Sequence, residues 1–211
     1  TVDPIDLTSV VIDRGGRLDA EQVSKLEVYK RYLHTDSGAS DFAPPGTPGG
    51  MGLVTGNEHD EFGLVSTDPL NRNKMVAKRQ HKMVSMKPEL PLAINHGVET
   101  ADIGFIGVGM CYGVILEAID LLGEKGIFAQ YHQVRTLWPM LDDTPAFTKR
   151  CPNIFIVEYN ATAQLAKLII AHGGEEENIN NILRYDGIPM QAQDLVNSVI
   201  SKLNLKEDEV A

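Results

Sequence analysis

The sequence predicts an α/β protein. A three-layer domain with a mostly parallel sheet occupies residues 95–211, preceded by a loop-rich arm at 1–67 and a basic linking helix and connector at 68–94. Three observations carry this reading. After residue 100, short runs rich in Ile, Val and Phe alternate with stretches whose apolar residues recur at helical spacing, the pattern of strands joined by right-handed helical crossovers. From Gly38 to Gly63 there are seven glycines and three prolines in 26 residues, which reads as loop. Asp68-Pro69 opens a long stretch with an aspartate cap and a proline at the first helical position.

Taken in order, Val2 to Tyr32 holds short apolar runs such as Val10-Val11-Ile12 and the cluster Tyr29-Lys30-Arg31-Tyr32. Residues 1–65 supply no core of their own and read as an arm that must pack on something. The helix from Asp68 should run to about Met86 and stop before Pro88. It carries Arg72, Lys74, Lys78, Arg79, Lys82 and Lys87 with no acidic residue among them. A solvated face is the plain reading, and docking onto an acidic partner is the alternative. Strands are expected at 101–109, 127–134, 153–158 and, more weakly, 179–185, with near-continuous apolar character that fits a sheet covered on both faces. Helices are expected at 112–125, closing at Gly126, then at 144–149, 162–171 and 191–203.

The 211 residues carry a formal charge of −10, which repels phosphate backbones and argues against nucleic-acid binding. The longest apolar candidate, Ile103 to Val114, is too short for a membrane span and is broken by four glycines. Cys111 and Cys151 lie in apolar contexts without CxxC spacing and read as buried free thiols of a cytoplasmic protein. The chain opens on Thr1 with no secretory leader, which suggests a processed chain or a fragment.

Gly107-Val108-Gly109-Met110-Cys111-Tyr112-Gly113 stands where a dinucleotide fingerprint would, but its spacing is GxGxxxG, and no acid follows near Gln133, Arg135 and Thr136. Small residues at a tight strand-to-helix turn explain it without a nucleotide. Pro44 to Gly52 lacks the ending of a phosphate-binding loop. Glu58-His59-Asp60-Glu61 is the densest group of ionisable residues, yet neighbours on an extended chain point opposite ways, so at most two could share a metal. His34, His81, His96, His132 and His172 are isolated and read as surface or hydrogen-bonded core residues. No nucleophile arrangement is present.

Several segments together resemble the α subunit of 2-oxoacid:ferredoxin oxidoreductases, most closely the 2-oxoglutarate type (2-oxoglutarate synthase). They are Tyr29-Lys30-Arg31-Tyr32, Thr35 to Gly38, Pro45-Gly46-Thr47, Thr55-Gly56-Asn57-Glu58-His59-Asp60-Glu61 and Arg72 to Arg79. Leu137-Trp138-Pro139, Val157-Glu158-x-Asn160-x-x-x-Gln164-Leu165 and Tyr185-Asp186-Gly187-x-Pro189 follow in order. One departure is Asp41-Phe42, which follow Ser40 where an arginine would be expected.

The resemblance implies an enzyme that oxidatively decarboxylates a 2-oxoacid with coenzyme A and passes electrons to ferredoxin. Thiamine diphosphate, magnesium and an iron–sulfur cluster do the chemistry in the complex, none of them bound by this chain alone. It further implies that residues 1–67 are the tail of a pyrimidine-type domain and that 95–211 resemble the transketolase C-terminal domain. Partners would be the rest of the α chain and a thiamine-binding β subunit. On this reading the isolated chain is inactive and assigns no catalytic, cofactor or metal residue of its own. Thr55, Gly56, Asn57, Glu58, His59 and Asp60 form its candidate interface or near-active-site loop. The alternatives are a stand-alone α/β module binding a small molecule or nucleotide, and a transketolase or pyruvate dehydrogenase β-type C-terminal domain.

Overall fold

The computed structural model describes residues 6–8 and 10–204; the outermost parts of the expected arm and of the expected α/β domain, at 1–5, 9 and 205–211, lie outside the described residues. The chain divides into two compact units, Thr1–Pro88 and Glu89–Ala211, so the basic helix falls in the same unit as the arm.

In the first unit, a short helix α1 (Ala20–Ser24) is fixed by a capping box. Asp19 accepts from the Gln22 amide at 2.8 Å, and the Gln22 side chain accepts from the Asp19 amide at 2.9 Å. At five residues it is too short for apolar periodicity to announce. The stretch at 38–63 is loop and turn apart from isolated bridges, as its glycines and prolines require. Helix α2 (Pro69–Ser85) begins where expected, Asp68 accepting from the amides of Leu70 and Asn71, both at 3.1 Å.

The orientation of α2 departs from a plain solvated basic face. Met75 is its one buried residue, and beside it Lys78 and Arg79 turn towards the arm. Leu70, Val76, Met83 and Val84 are exposed. The arm supplies polar acceptors rather than apolar volume, so the cationic side of the helix is the side that finds partners there. Gly38 makes the close approach: at φ +74°, a Cβ would stand 2.7 Å from the Lys78 carbonyl oxygen and 2.8 Å from the Lys82 nitrogen.

The second unit is a five-stranded sheet in the order β1-β3-β2-β4-β5. Its parallel strands are β2 (Ile103–Val108), β3 (Ala129–Val134), β4 (Ile154–Glu158) and β5 (Ile179–Leu183), and β1 (Ile94–Gly97) runs antiparallel along β3. The sequence reading omitted β1, whose four residues, Ile-Asn-His-Gly, carry too little apolar character to stand out. Helices α3 (Cys111–Gly123) and α6 (Ala192–Lys202) cover one face, packing Ile115, Leu122, Leu195 and Val199 on Phe105, Tyr131, Phe155 and Val157. Helices α4 (Asp143–Phe147) and α5 (Gln164–Ala171) cover the other, packing Phe147, Leu165 and Ile169 on Ile106, Ile154 and Ile156. Odd and even residues of β4 thus enter different cores, which is why it reads as an unbroken apolar run. The three-layer, mostly parallel architecture is the one expected. Among the described residues no helix is long and apolar enough to cross a membrane.

Candidate functional site: the motif loop and its anchors

The loop Thr55–Asp60 is held by contacts at nearly every residue. Thr55 Oγ1 accepts from the Asn57 amide at 3.2 Å, and His59 Nδ1 donates to the Asn57 carbonyl at 2.9 Å. Asp60 closes the following turn by accepting from the amides of Phe62 at 2.9 Å and Leu64 at 3.0 Å, with Gly63 at φ +85°. Gly56 has open space where a Cβ would stand.

Four adjacent ionisable residues go to four different partners. Glu58 pairs with Arg79 of α2, whose Nη1 and Nη2 donate at 3.2 and 2.7 Å. The His59 ring lies 4.1 Å from that of Tyr32, centroid to centroid. Asp60 serves its own turn. Glu61 accepts from Lys30 Nζ at 3.0 Å and from the His34 amide at 2.9 Å, while its carbonyl accepts from the Tyr32 amide at 2.9 Å. Asn71 of α2 adds a bond to the His59 carbonyl at 3.0 Å. Lys78 Nζ donates to the Tyr32 carbonyl at 3.1 Å and to Ser40 Oγ at 2.6 Å. Segments 29–32, 58–61 and 71–79, read separately in the sequence, therefore form one polar network.

Its electrostatics follow from these contacts. The Arg79 hydrogen bond holds the Glu58 carboxyl below the usual glutamate range. The His34 amide, with help from Lys30, does the same for Glu61. Burial, then the neighbouring Arg31 and Lys82 charges, lower the Lys78 ammonium. Arrayed this way, the residues fix the loop's shape and field. They do not assemble a nucleophile, a general base or a metal cage.

In the second unit three of the remaining motifs resolve into structural contacts, whereas Leu137-Trp138-Pro139, expected to pack, leaves Trp138 63% exposed with its ring 5.6 Å from that of His172. Gly107 lets α3 close on β2: a Cβ there would stand 2.8 Å from Ile115 Cδ1 and 3.0 Å from the Cys111 Cβ. After β2, Gly109 at φ +59° makes the turn into α3. Glu158, 4% exposed at the end of β4, accepts from the amides of Leu165 at 2.7 Å and Ala166 at 3.1 Å and from Asn160 Nδ2 at 2.6 Å. The Glu158-x-Asn160 motif is thus the N-terminal cap of α5, and it occupies the helix end where an anion would otherwise bind. Arg184 bridges Asp186 at 3.1 Å and Asp194 at 2.6 Å, which orders the Tyr185–Pro189 turn.

The donors present do not fit a metal cage or an iron–sulfur cluster. No group of three His, Cys, Asp or Glu converges among the described residues, and the two thiols lie in different cores on opposite faces of the sheet.

No family model matches the chain. A 2-oxoacid:ferredoxin oxidoreductase α subunit of Aeropyrum pernix is 30% identical over 210 residues, 98% of this chain and 32% of that subunit. The corresponding subunit of Saccharolobus solfataricus is 30% identical over 82% of this chain and 28% of its own length. The solved 2-oxoglutarate:ferredoxin oxidoreductase of Magnetococcus marinus, with 2-oxoglutarate, coenzyme A and succinyl-CoA bound, matches 83% of the chain and 31% of its own at 32% identity and a TM-score of 0.75. The chain is homologous to a portion of 2-oxoacid:ferredoxin oxidoreductase α subunits. It spans about a third of the length of these relatives. In this chain, segments that carried the resemblance form a loop network, a helix cap and an ion-paired turn.

Proposed function

We propose that this α-subunit portion is the C-terminal scaffold of a thiamine-dependent 2-oxoacid:ferredoxin oxidoreductase, acting on 2-oxoglutarate with coenzyme A to give succinyl-CoA. Its sheet domain orients neighbouring catalytic domains. The loop Thr55–Asp60 lies at an interface or beside the active site formed by the rest of the α chain and the thiamine-binding β subunit. Thiamine diphosphate, magnesium and the cluster sit on those neighbours, and ferredoxin takes the electrons.

The observation that supports this reading is the build of the first unit. Arg79 and Asn71 of α2 fix the motif loop and Lys78 fixes the arm at Tyr32 and Ser40, while Leu70, Val76, Met83 and Val84 face outward. A rigid loop beside an exposed aliphatic surface is what an assembly element needs. The bound 2-oxoglutarate and succinyl-CoA of the Magnetococcus relative support the choice of substrate.

The test is reconstitution. Combined with the remaining α segment and the β subunit, the chain should restore coenzyme A-dependent reduction of methyl viologen by 2-oxoglutarate, and pyruvate should serve poorly. Turnover or tight thiamine diphosphate binding by the chain alone would sink the proposal, as would full activity of the complex without it.

A further inference from the structure

Arg31 stands apart from the other cations of the network. Its guanidinium carbon lies 5.1 Å over the Tyr32 ring centroid and 4.9 Å over that of Phe42, so the group contacts two aromatic rings. Its Nε is buried and has no hydrogen-bond partner, and among the described residues nothing ion-pairs with the guanidinium. The nearby acids are committed elsewhere: Glu61 to Lys30 and the His34 amide, Glu58 to Arg79.

A cavity of about 420 Å³ opens beside this arginine, lined by Tyr29, Phe42, Thr47, Met51 and Val54 and by the glycines of the loop. That volume falls within the usual range for small-molecule sites. The glycines are what bring the loop so close. A Cβ on Gly52 would stand 3.0 Å from the Arg31 Cβ and 3.2 Å from Tyr29 Cε1. Gly46, Met51 and Gly52 line the same space, and their amides make no hydrogen bond among the described residues.

A buried guanidinium Nε without an acceptor is costly, and the rings offset only part of that cost, while the terminal nitrogens stay open to solvent. An oxyanion offsets the rest, because the planar fork of arginine meets carboxylate and phosphate oxygens with charge-assisted hydrogen bonds. We infer that this cavity binds a small organic anion, whose carboxylate or phosphate accepts from Arg31 and whose apolar part lies against Tyr29 and Phe42. All of the lining comes from the first unit.

The full chain, labelled with nitrogen-15, is titrated with inorganic phosphate and separately with phenylacetate. The signals followed are Arg31 Nε–H and the amides of Gly46 and Gly52. Saturable shifts confined to these signals are expected. Tighter phosphate binding marks a phosphorylated ligand, and tighter phenylacetate binding a carboxylate. Arg31→Gln should weaken binding about tenfold or more, whereas Arg72→Gln, exposed on α2, should leave it unchanged. Met51→Glu places a negative charge at the open mouth, where Met51 is 92% exposed and folding is not at stake; it too should weaken binding. Absence of saturable shifts with both probes overturns the inference, and so does binding that Arg31→Gln and Met51→Glu leave intact.

Discussion

Arg79 of α2 grips Glu58 of the motif loop through both terminal guanidinium nitrogens, at 3.2 and 2.7 Å. The contact ties a loop of little regular structure to a 17-residue helix. Arg79→Ala should therefore free the loop: limited proteolysis between Thr55 and Asp60 should accelerate while the helical signal is retained. The same substitution should return the Glu58 titration, followed by NMR, to the ordinary glutamate range. Because the folded carboxyl is held low, the clamp stabilises above the unfolded value of about 4.5 and is lost as pH falls through the folded one. Unchanged proteolysis in the variant would show that the loop is held by its other contacts.

His132 supplies a second pH dependence of the same sign and a different cause. It is 1% exposed, and burial lowers its pKa to about 4. Its Nδ1 donates to Asn95 Oδ1 at 2.8 Å, leaving Nε2 to accept from the Thr144 hydroxyl at 3.1 Å, so the neutral ring is the one that fits. The unfolded chain takes up a proton near pH 6.5 and the folded one does not until about 4. Stability is thus full above 6.5 and declines towards 4, by up to roughly 3 kcal/mol. Urea midpoints at pH 7 and 5 should differ in the native chain, and the difference should shrink in His132→Gln.

Glu158 carries the junction between β4 and α5. Glu158→Ala would strand two helix amides and Asn160 in a buried place, costing roughly 2–3 kcal/mol. Glu158→Gln should recover part of that, since one oxygen remains to accept. Thermal or urea unfolding of both variants checks the order. Equal stability of the alanine and native chains would remove the cap from any account of this fold.

Gly38 and Gly15 separate steric contact from backbone strain. Both have positive φ, but a Cβ on Gly38 meets the α2 backbone while one on Gly15 meets nothing within 4 Å. Gly15→Ala should cost about 1 kcal/mol and Gly38→Ala roughly 2–4 kcal/mol. Matching losses in urea unfolding would mean that the approach of the arm to α2 is looser than described.

Much of the second unit was legible because its strands and helices bury whole faces. Ile154-Phe155-Ile156-Val157 and the α6 stripe leave few alternatives once the period is read. β1 escaped because a short polar strand is specified by the edge it covers, with Asn95 opposite His132, rather than by its own residues. In the first unit, Asp68-Pro69 announced the helix, yet nothing in its composition said that Lys78 and Arg79 would turn inward. That depends on acceptors at Tyr32, Ser40 and Glu58, far away in sequence. Arg31 was visible only as one of a basic and aromatic cluster. The signal was there in Phe42 and the glycines after Pro45, but contact with two rings is a three-dimensional fact.

Helix α2 also bears on how this polypeptide behaves alone in solution. Its aliphatic stripe, Leu70, Val76, Met83 and Val84, is turned to water. Sulfate salts strengthen association between such surfaces even as they screen charge. Ammonium sulfate should therefore drive the purified chain into oligomers well before it precipitates, and a charged residue at Val84 should delay that. To a chaperone scanning newly made proteins, the same stripe is an apolar handhold on an otherwise folded unit.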